Sequence, residues 1–235
     1  MINRLVEPTS GSVLVDGQDV ANADPIALRR SIGYVLQGGG LLPHLTVLAN
    51  IALVPRLSGA SKGEAREKAL NLLDTVGLDR SLASRYPAQL SGGQRQRVGV
   101  ARALAADARI LLMDEPFSAL DPVIRQELQD EVLRLHGQGA DASGRKRTVV
   151  FVTHDINEAL RLADRIVLLS PGGVIEQDSR PWDLVEHPAN DFVRRFIEAG
   201  RPEFRPGAAE ESSAADGKEN SAAGQTVSTP EEARR

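Results

Sequence analysis

The run LSGGQRQRVGVARAL holds a serine and two glycines where a helix begins, because Val98, Ala101, Leu104 and Ala105 recur at helical spacing from about Ser91 onward. Gly92 and Gly93 leave the backbone open to a close approach. The helix start offers free N–H groups and a positive dipole end, and Ser91 adds a hydroxyl. Such an end can bind phosphate, or it is simply an N-capped helix with a flexible entry. The run ILLMDEP puts Asp114 and Glu115 at the mouth of a buried strand. An Asp there can hold Mg²⁺ through coordinated water, while the adjacent Glu orients and activates a water for attack on a phosphoryl group. The plainer alternative is an acidic helix N-cap, since Asp, Glu and Pro are all common at that position. His154 ends another apolar strand, where an imidazole could contact a γ-phosphate, hold an attacking water, or complete a strand-end hydrogen bond. Gln37, at the end of SIGYVLQ, could ligate a metal or serve as a polar strand terminus.

The elements that must position these residues alternate between strand and helix. GSVLVDGQDV reads as a short strand, a turn at Asp16 and Gly17, and a return. SIGYVLQ is a second strand that stops at Gly38–Gly40. From Leu45 to Ala105 the pattern is helical: Ser61 and Glu64 form a capping box, Ala65, Ala69, Leu72, Leu73 and Val76 a buried stripe, and Gly77 a stop. RILLMDEP, TVVFVTHD and RIVLLSP each read as a parallel strand buried on both faces, with helices around Ile124–Leu135 and Ile156–Ala163 between them. This alternation predicts an α/β core. Ligands of such sheets bind at the carboxyl ends of the strands, which is where Gln37, Asp114, Glu115 and His154 fall.

Composition narrows the class. The chain is 41% hydrophobic and 26% charged, and its longest strongly apolar runs, such as Ile110–Met113, are far short of the roughly 20 residues that span a bilayer. A net charge of −4 argues against a general affinity for nucleic acid. The absence of cysteine excludes disulfides, thiolate metal sites and a cysteine nucleophile, and suits a reducing compartment. Residues 207–235 hold six acidic and three basic residues and a single larger aliphatic, Val227, so they read as a disordered tail.

The motifs also follow a fixed order: a strand ending in Gln, then LSGGQ, an apolar strand ending in DE, SALD, and an apolar strand ending in TH. In that order the sequence resembles the ATP-binding subunits of ABC transporters over about residues 1–200. The resemblance puts the Q-loop at Gln37, the signature at Leu90–Gln94, Walker B at Ile110–Asp114, the catalytic glutamate at Glu115, the D-loop at Ser118–Asp121 and the switch histidine at His154. It implies ATP and Mg²⁺ as cofactors, with Gln37 and Asp114 on the metal, Glu115 on the attacking water and His154 on the γ-phosphate. Ser91, Gly92, Gly93, Gln94 and Asp121 would meet nucleotide, the signature closing the site in trans.

The implied fold is a P-loop NTPase-type, mostly parallel sheet with an inserted helical signature subdomain and an antiparallel β portion, truncated at the N-terminus. Its ATPase domain would cover residues 1–206, with a core lobe of 1–44 and 106–206 and a helical subdomain of 45–105. The implied partners are transmembrane permease subunits, a second ATPase subunit arranged head to tail and, indirectly, a solute-binding protein, but no nucleic acid. That would place the chain peripherally on the cytoplasmic face of the cell membrane.

A finer resemblance lies in MINRLVEPTSG, in IGYVLQ with GLLPHLTVLANIALVP, and in QRVGVARALAADARILLMDEPFSALDP. These runs look like the ATPases of glycine betaine, carnitine, choline and proline importers. The solute meets the binding protein and permease, so no residue here reads it. GGG at Gly38–Gly40 departs from the bulkier residues the resemblance leads one to expect after the Q-loop glutamine. The tail differs from the paired regulatory domains that some members carry there.

The family's phosphate cradle, GxxxxGK followed by Ser or Thr, does not occur in this sequence, and neither does the upstream aromatic that stacks on adenine. The one Gly-Lys pair, Gly217–Lys218, is followed by Glu219. In the opening MINRLVEPTSG, Met1, Ile2, Leu5 and Val6 read as one side of a helix entered half-way along, with no capping residue before it. The expectation is therefore a start upstream of Met1 that restores the cradle. The alternatives are a non-catalytic subunit lending its signature to a complete partner, or an importer ATPase for another small solute. DNA-repair and translation proteins with the same head need long coiled-coil insertions or a second head, for which 235 residues leave no room.

Overall fold

The computed structural model describes residues 1–138 and 147–200, which fall into two compact units, Met1–His154 and the residues from Asp155 onward. In the first unit, β1 (Leu14–Val15) and β2 (Gln18–Asp19) form a tight antiparallel hairpin, with Asp16 and Gly17 both at positive φ, as a two-residue turn of this hand requires. Asp24 caps α1 (Pro25–Arg30) by accepting from the Ala27 N–H, and Pro25 occupies the first helical position. β3 (Ile32–Val35) follows, and three helices separate it from the next strand: α2 (Val47–Leu57), α3 (Lys62–Thr75) and α4 (Gly92–Ala105). Then come β4 (Ile110–Asp114), α5 (Pro122–Gln138) and β5 (Thr148–Val152).

The strands pair in the parallel order β3-β4-β5, with Val35 beside Met113 and Met113 beside Phe151. Val35, Leu111, Met113, Val98, Val100 and Phe117 are buried, and α4 packs against β3. The capping box of Ser61 and Glu64 opens α3, whose Ala65, Ala69 and Leu73 are buried, and Gly77 at φ 64° follows its end. Leu72 is only partly buried. Asn50, fully buried on α2, bonds the Leu42 N–H and the carbonyls of Leu42, Leu45 and Thr46, and so closes the loop leading from the glycines into the helices.

The second unit holds α6 (Ile156–Leu162), β6 (Ile166–Ser170), β7 (Val174–Ser179), α7 (Pro181–Glu186) and α8 (Asp191–Gly200). Its core is Ile156, Ile166, Leu168, Leu184, Val193 and Ile197.

The structure corrects three sequence expectations. Residues 1–6 form turns and bends rather than a half-helix. Arg4 sits at φ 53°, and the Arg29 guanidinium takes the carbonyls of Asn3 and Arg4 at 3.1 and 2.6 Å. Met1, Leu5 and Val6 stay exposed, so no apolar stripe is buried to drive a helix. RIVLLSP is not a doubly buried parallel strand. As β6 it pairs antiparallel with β7, and its residues alternate between buried and exposed because one face of the hairpin packs on the second unit's core. β5 is parallel as expected, but as the sheet's edge it leaves Val150 and Val152 exposed.

No helix among the described residues is long and apolar enough to cross a membrane. The tail expected over 207–235 lies outside the described residues.

Candidate functional site

Strand register alone brings the polar ends together. Val35 lies beside Met113 and Met113 beside Phe151, so two residues further on Gln37, Glu115 and the Thr153–His154 step stand in a row. Neighbouring strands lie about 4.8 Å apart, within side-chain reach. Gln37 Nε2 donates to Glu115 Oε2 at 2.9 Å, and His154 Nδ1 meets Glu115 Oε1 at 3.1 Å. A carboxylate only accepts, so His154 Nδ1 carries the hydrogen and Nε2 remains for another partner. The imidazole is 74% exposed and the Glu115 carboxylate 26%, which makes an open-faced cluster.

The Glu115 backbone is unusual. Its φ is 44°, a left-handed conformation that non-glycine residues adopt at a cost of order 1–3 kcal/mol. Neighbours fasten both sides of the residue. Its N–H donates to Val152 O at 2.9 Å, while its carbonyl accepts from Ser118 Oγ at 3.0 Å and from Gln96 Nε2 at 3.3 Å. Glu115 and Pro116 begin no helix. The cap in this region is Asp121, whose Oδ1 accepts from the Ile124 N–H at the head of α5. Asp114 closes β4, half-buried and adjacent to Glu115.

On α4, Ser91 and Gln94 form a reciprocal capping box: Ser91 Oγ accepts from the Gln94 N–H at 3.2 Å and Gln94 Oε1 from the Ser91 N–H at 2.9 Å. The N–H groups of Gly92 and Gly93 have no intrahelical partner. Gly93 packs toward Ala119 O, so the helix start abuts the Ser118–Asp121 turn. The side chains of Ser91 and Gln94 are thus engaged in their own cap, while Gln37, Glu115 and His154 form the bonded cluster.

Two residues that reasoning from sequence passed over hold these parts together. Gln96 is fully buried, and its Nε2 also donates to Pro116 O at 3.0 Å. A glutamine in register with buried Val100 and Ala103 is the signal that could have revealed it. Arg102 donates to the carbonyls of Gly40 and Gly39 at 2.8 and 3.0 Å, and burial pulls its guanidinium down from its ordinary pKa. GGG also finds its reason here. A Cβ on Gly39 would stand 2.4 Å from Arg95 O, and one on Gly99 would stand 2.7 Å from the Gly39 Cα, so the loop after Gln37 lies directly on α4. A cleft of about 420 Å³ between Glu64, Lys68, Asn71, Asp107, Glu131 and Arg134 lies apart from this cluster, and two ion pairs, Lys68–Asp107 and Arg134–Glu131, line it.

The class follows from motif order and sheet together. The family model described as ABC transporter matches residues 1–118, about half of the chain, and the chain belongs to this family. Among curated relatives it is 48% identical over 197 residues to the carnitine transport ATP-binding protein OpuCA of Listeria monocytogenes, covering 84% of this chain and 48% of that one. It is 50% identical over 204 residues to the glycine betaine uptake system ATP-binding protein YehX of Escherichia coli, covering 87% and 63%. It is 48% identical over 201 residues to the glycine betaine/proline betaine transport system ATP-binding protein ProV of Escherichia coli, covering 84% and 48%. The chain thus spans about half the length of most of these relatives. Among solved structures, a dimeric ATP-binding cassette in a post-hydrolysis state, bound to ADP and Pi, superposes with a TM-score of 0.68 at 37% identity over 77% of each chain.

Proposed function

We propose that this chain is the ATP-hydrolysing subunit of an importer for an osmoprotectant of the quaternary-amine branch, such as glycine betaine, carnitine or choline, or for proline. The observation that carries the reading is the Glu115 carboxylate held between Gln37 and His154 at the carboxyl edge of a parallel sheet. The names of the relatives supply the solute class.

In this reading Glu115 orients the water that attacks the γ-phosphorus, and the bond to the bridging oxygen breaks to leave ADP and phosphate. His154, tied to Glu115 through Nδ1, turns Nε2 to the γ-phosphate and donates to it as the imidazolium, since carboxylate and phosphate oxygens both only accept. Mg²⁺, when bound, neutralises charge developing on the phosphate oxygens. Asp114 and the Oε1 of Gln37 would hold it, the Nε2 of Gln37 being committed to Glu115. Two hard oxygen donors suit a cation that takes its other ligands from phosphate and water. No cluster of three or more His, Cys, Asp or Glu side chains among the described residues forms a rival metal site. Gly92 and Gly93 present free N–H groups, and Ser91, Gln94 and Asp121 the polar atoms not used in their caps, to the nucleotide of a facing subunit in a head-to-tail dimer.

Residues 45–105 then act as the signature subdomain, and residues 1–44 with 106–206 as the core lobe. Permease subunits seat the chain peripherally on the cytoplasmic face of the membrane, with a solute-binding protein beyond them.

The test uses the native complex. The chromosomal copy is tagged and purified in detergent with whatever membrane proteins accompany it, and solute-stimulated ATP hydrolysis is measured. A polytopic permease in the preparation and stimulation by glycine betaine, carnitine or choline are expected. ATP hydrolysis with no response to any of these would remove the solute assignment, and no hydrolysis at all would remove the enzyme.

A further inference from the structure

We infer that Gln96 is a positioning residue for Glu115, holding the glutamate's backbone from the helix that carries the signature. This rests on the reading of Glu115 as the residue that orients water.

Glu115 sits at φ 44°, where an L side chain is strained, so its carboxylate direction depends on whatever holds the peptide there. Two of the ties to its carbonyl, from the Ser118 N–H and Oγ, come from the same turn and move with it. The tie from Gln96 Nε2 comes from α4, and the same nitrogen bridges to Pro116 O. Both facing groups are carbonyls, so the amide must present its nitrogen to them, and Gln96 Oε1 is left buried without a partner. A buried amide with one end unsatisfied is a costly way to fill space, and an apolar side chain would fill it without that cost. What only a donor can do here is fix the two consecutive carbonyls that follow the strained Cα, those of Glu115 and Pro116. Gln96 lies five residues after Ser91, about one and a half helical turns from the end that faces nucleotide. A shift of α4 when the signature engages is therefore transmitted to the Glu115 carbonyl through one side chain.

The experiment compares Gln96→Met, Gln96→Glu and Glu115→Gln in the purified native complex, reading kcat, the KM for ATP and nucleotide affinity. Glu115→Gln first decides whether Glu115 acts at all; if it leaves turnover unchanged, the underlying reading fails and Gln96 has nothing to position. If Glu115→Gln lowers turnover by about 100-fold or more, Gln96→Met, which keeps volume and removes the donor, is expected to lower kcat tenfold or more while KM and affinity stay within about twofold. In the Glu115→Gln background the same change should leave the residual rate unaltered. A Gln96→Met enzyme with near wild-type kcat, or one whose loss is equal in both backgrounds, overturns the inference.

Should Gln96→Met fail to fold, Gln96→Glu decides. A protonated carboxyl donates to the Glu115 carbonyl as the amide does, whereas an ionised one cannot. Its rate relative to wild type should therefore fall as pH rises, and a ratio independent of pH overturns the inference.

Discussion

Gln37 and Glu115 are 78 residues apart in sequence and 2.9 Å apart in the fold, the amide nitrogen of one donating to the carboxylate of the other. With His154 on the second carboxylate oxygen, Glu115 is held at both oxygens by side chains from the two flanking strand ends. Such a carboxylate is pre-oriented, and orientation is what general-base catalysis of water attack requires. Glu115→Gln preserves the shape and removes the charge. Turnover of the native complex should fall by about 100-fold or more while ATP binding stays within a few-fold. Steady-state hydrolysis alongside equilibrium nucleotide binding checks this, and hydrolysis close to wild type would take Glu115 out of the role.

The left-handed backbone at Glu115 predicts a trade between stability and activity. Glu115→Gly releases the strain, whereas Glu115→Ala keeps it. Both should be inactive, but the glycine variant should be the more stable by about 1 kcal/mol. Urea midpoints followed by far-UV circular dichroism measure the difference, and an alanine variant as stable as the glycine one contradicts the strain.

Within GGG the three positions should respond unequally. A methyl group on Gly39 runs into the Arg95 carbonyl at 2.4 Å and must also accept φ 84°, whereas one on Gly38, at φ 70°, meets nothing within 4 Å. Gly39→Ala should cost about 2–4 kcal/mol, from overpacking added to backbone strain. Gly38→Ala should cost only about 1 kcal/mol, from the backbone alone. Equal urea midpoints for the two variants would show that α4 does not press on this loop.

In the second unit, Arg165 grips Asp178 through two nitrogens at 2.5 and 2.8 Å, beside the first register pair of β6 and β7. The hydrogen bond from Arg165 holds the Asp178 carboxyl below the usual range. A carboxyl whose folded-state pKa is depressed contributes stability that is fully present above its unfolded value, near 4, and is lost as pH falls through the folded value. The difference in melting temperature between wild type and Asp178→Asn should therefore be constant from about pH 6 to 8 and close below about pH 4. Added salt should shrink it, because the pair is exposed. Melts recorded at low and high salt across that range test both statements.

Motif order and local chemistry were legible in the sequence because each depends on neighbours along the chain. The Ser61–Glu64 capping box, the helix start at Ser91, the Asp16–Gly17 turn and the apolar run of β4 all formed as read. The parallel order of β3, β4 and β5 also follows from strand and helix alternation, and with it the gathering of Gln37, Glu115 and His154 at one sheet edge.

The tertiary structure decided what depends on contacts between distant segments. An apolar run such as RIVLLS does not say which partner it will take, and it became half of a hairpin because the Gly172–Gly173 turn returned β7 against it. The opening residues have helical spacing but gain no buried face, and Arg29 takes the carbonyls a helix would have used. The left-handed Glu115, its tie to Gln96, and the press of Gly99 on Gly39 leave almost no local mark. Each arises where α4 crosses the ends of the strands, and only packing determines which atoms meet there.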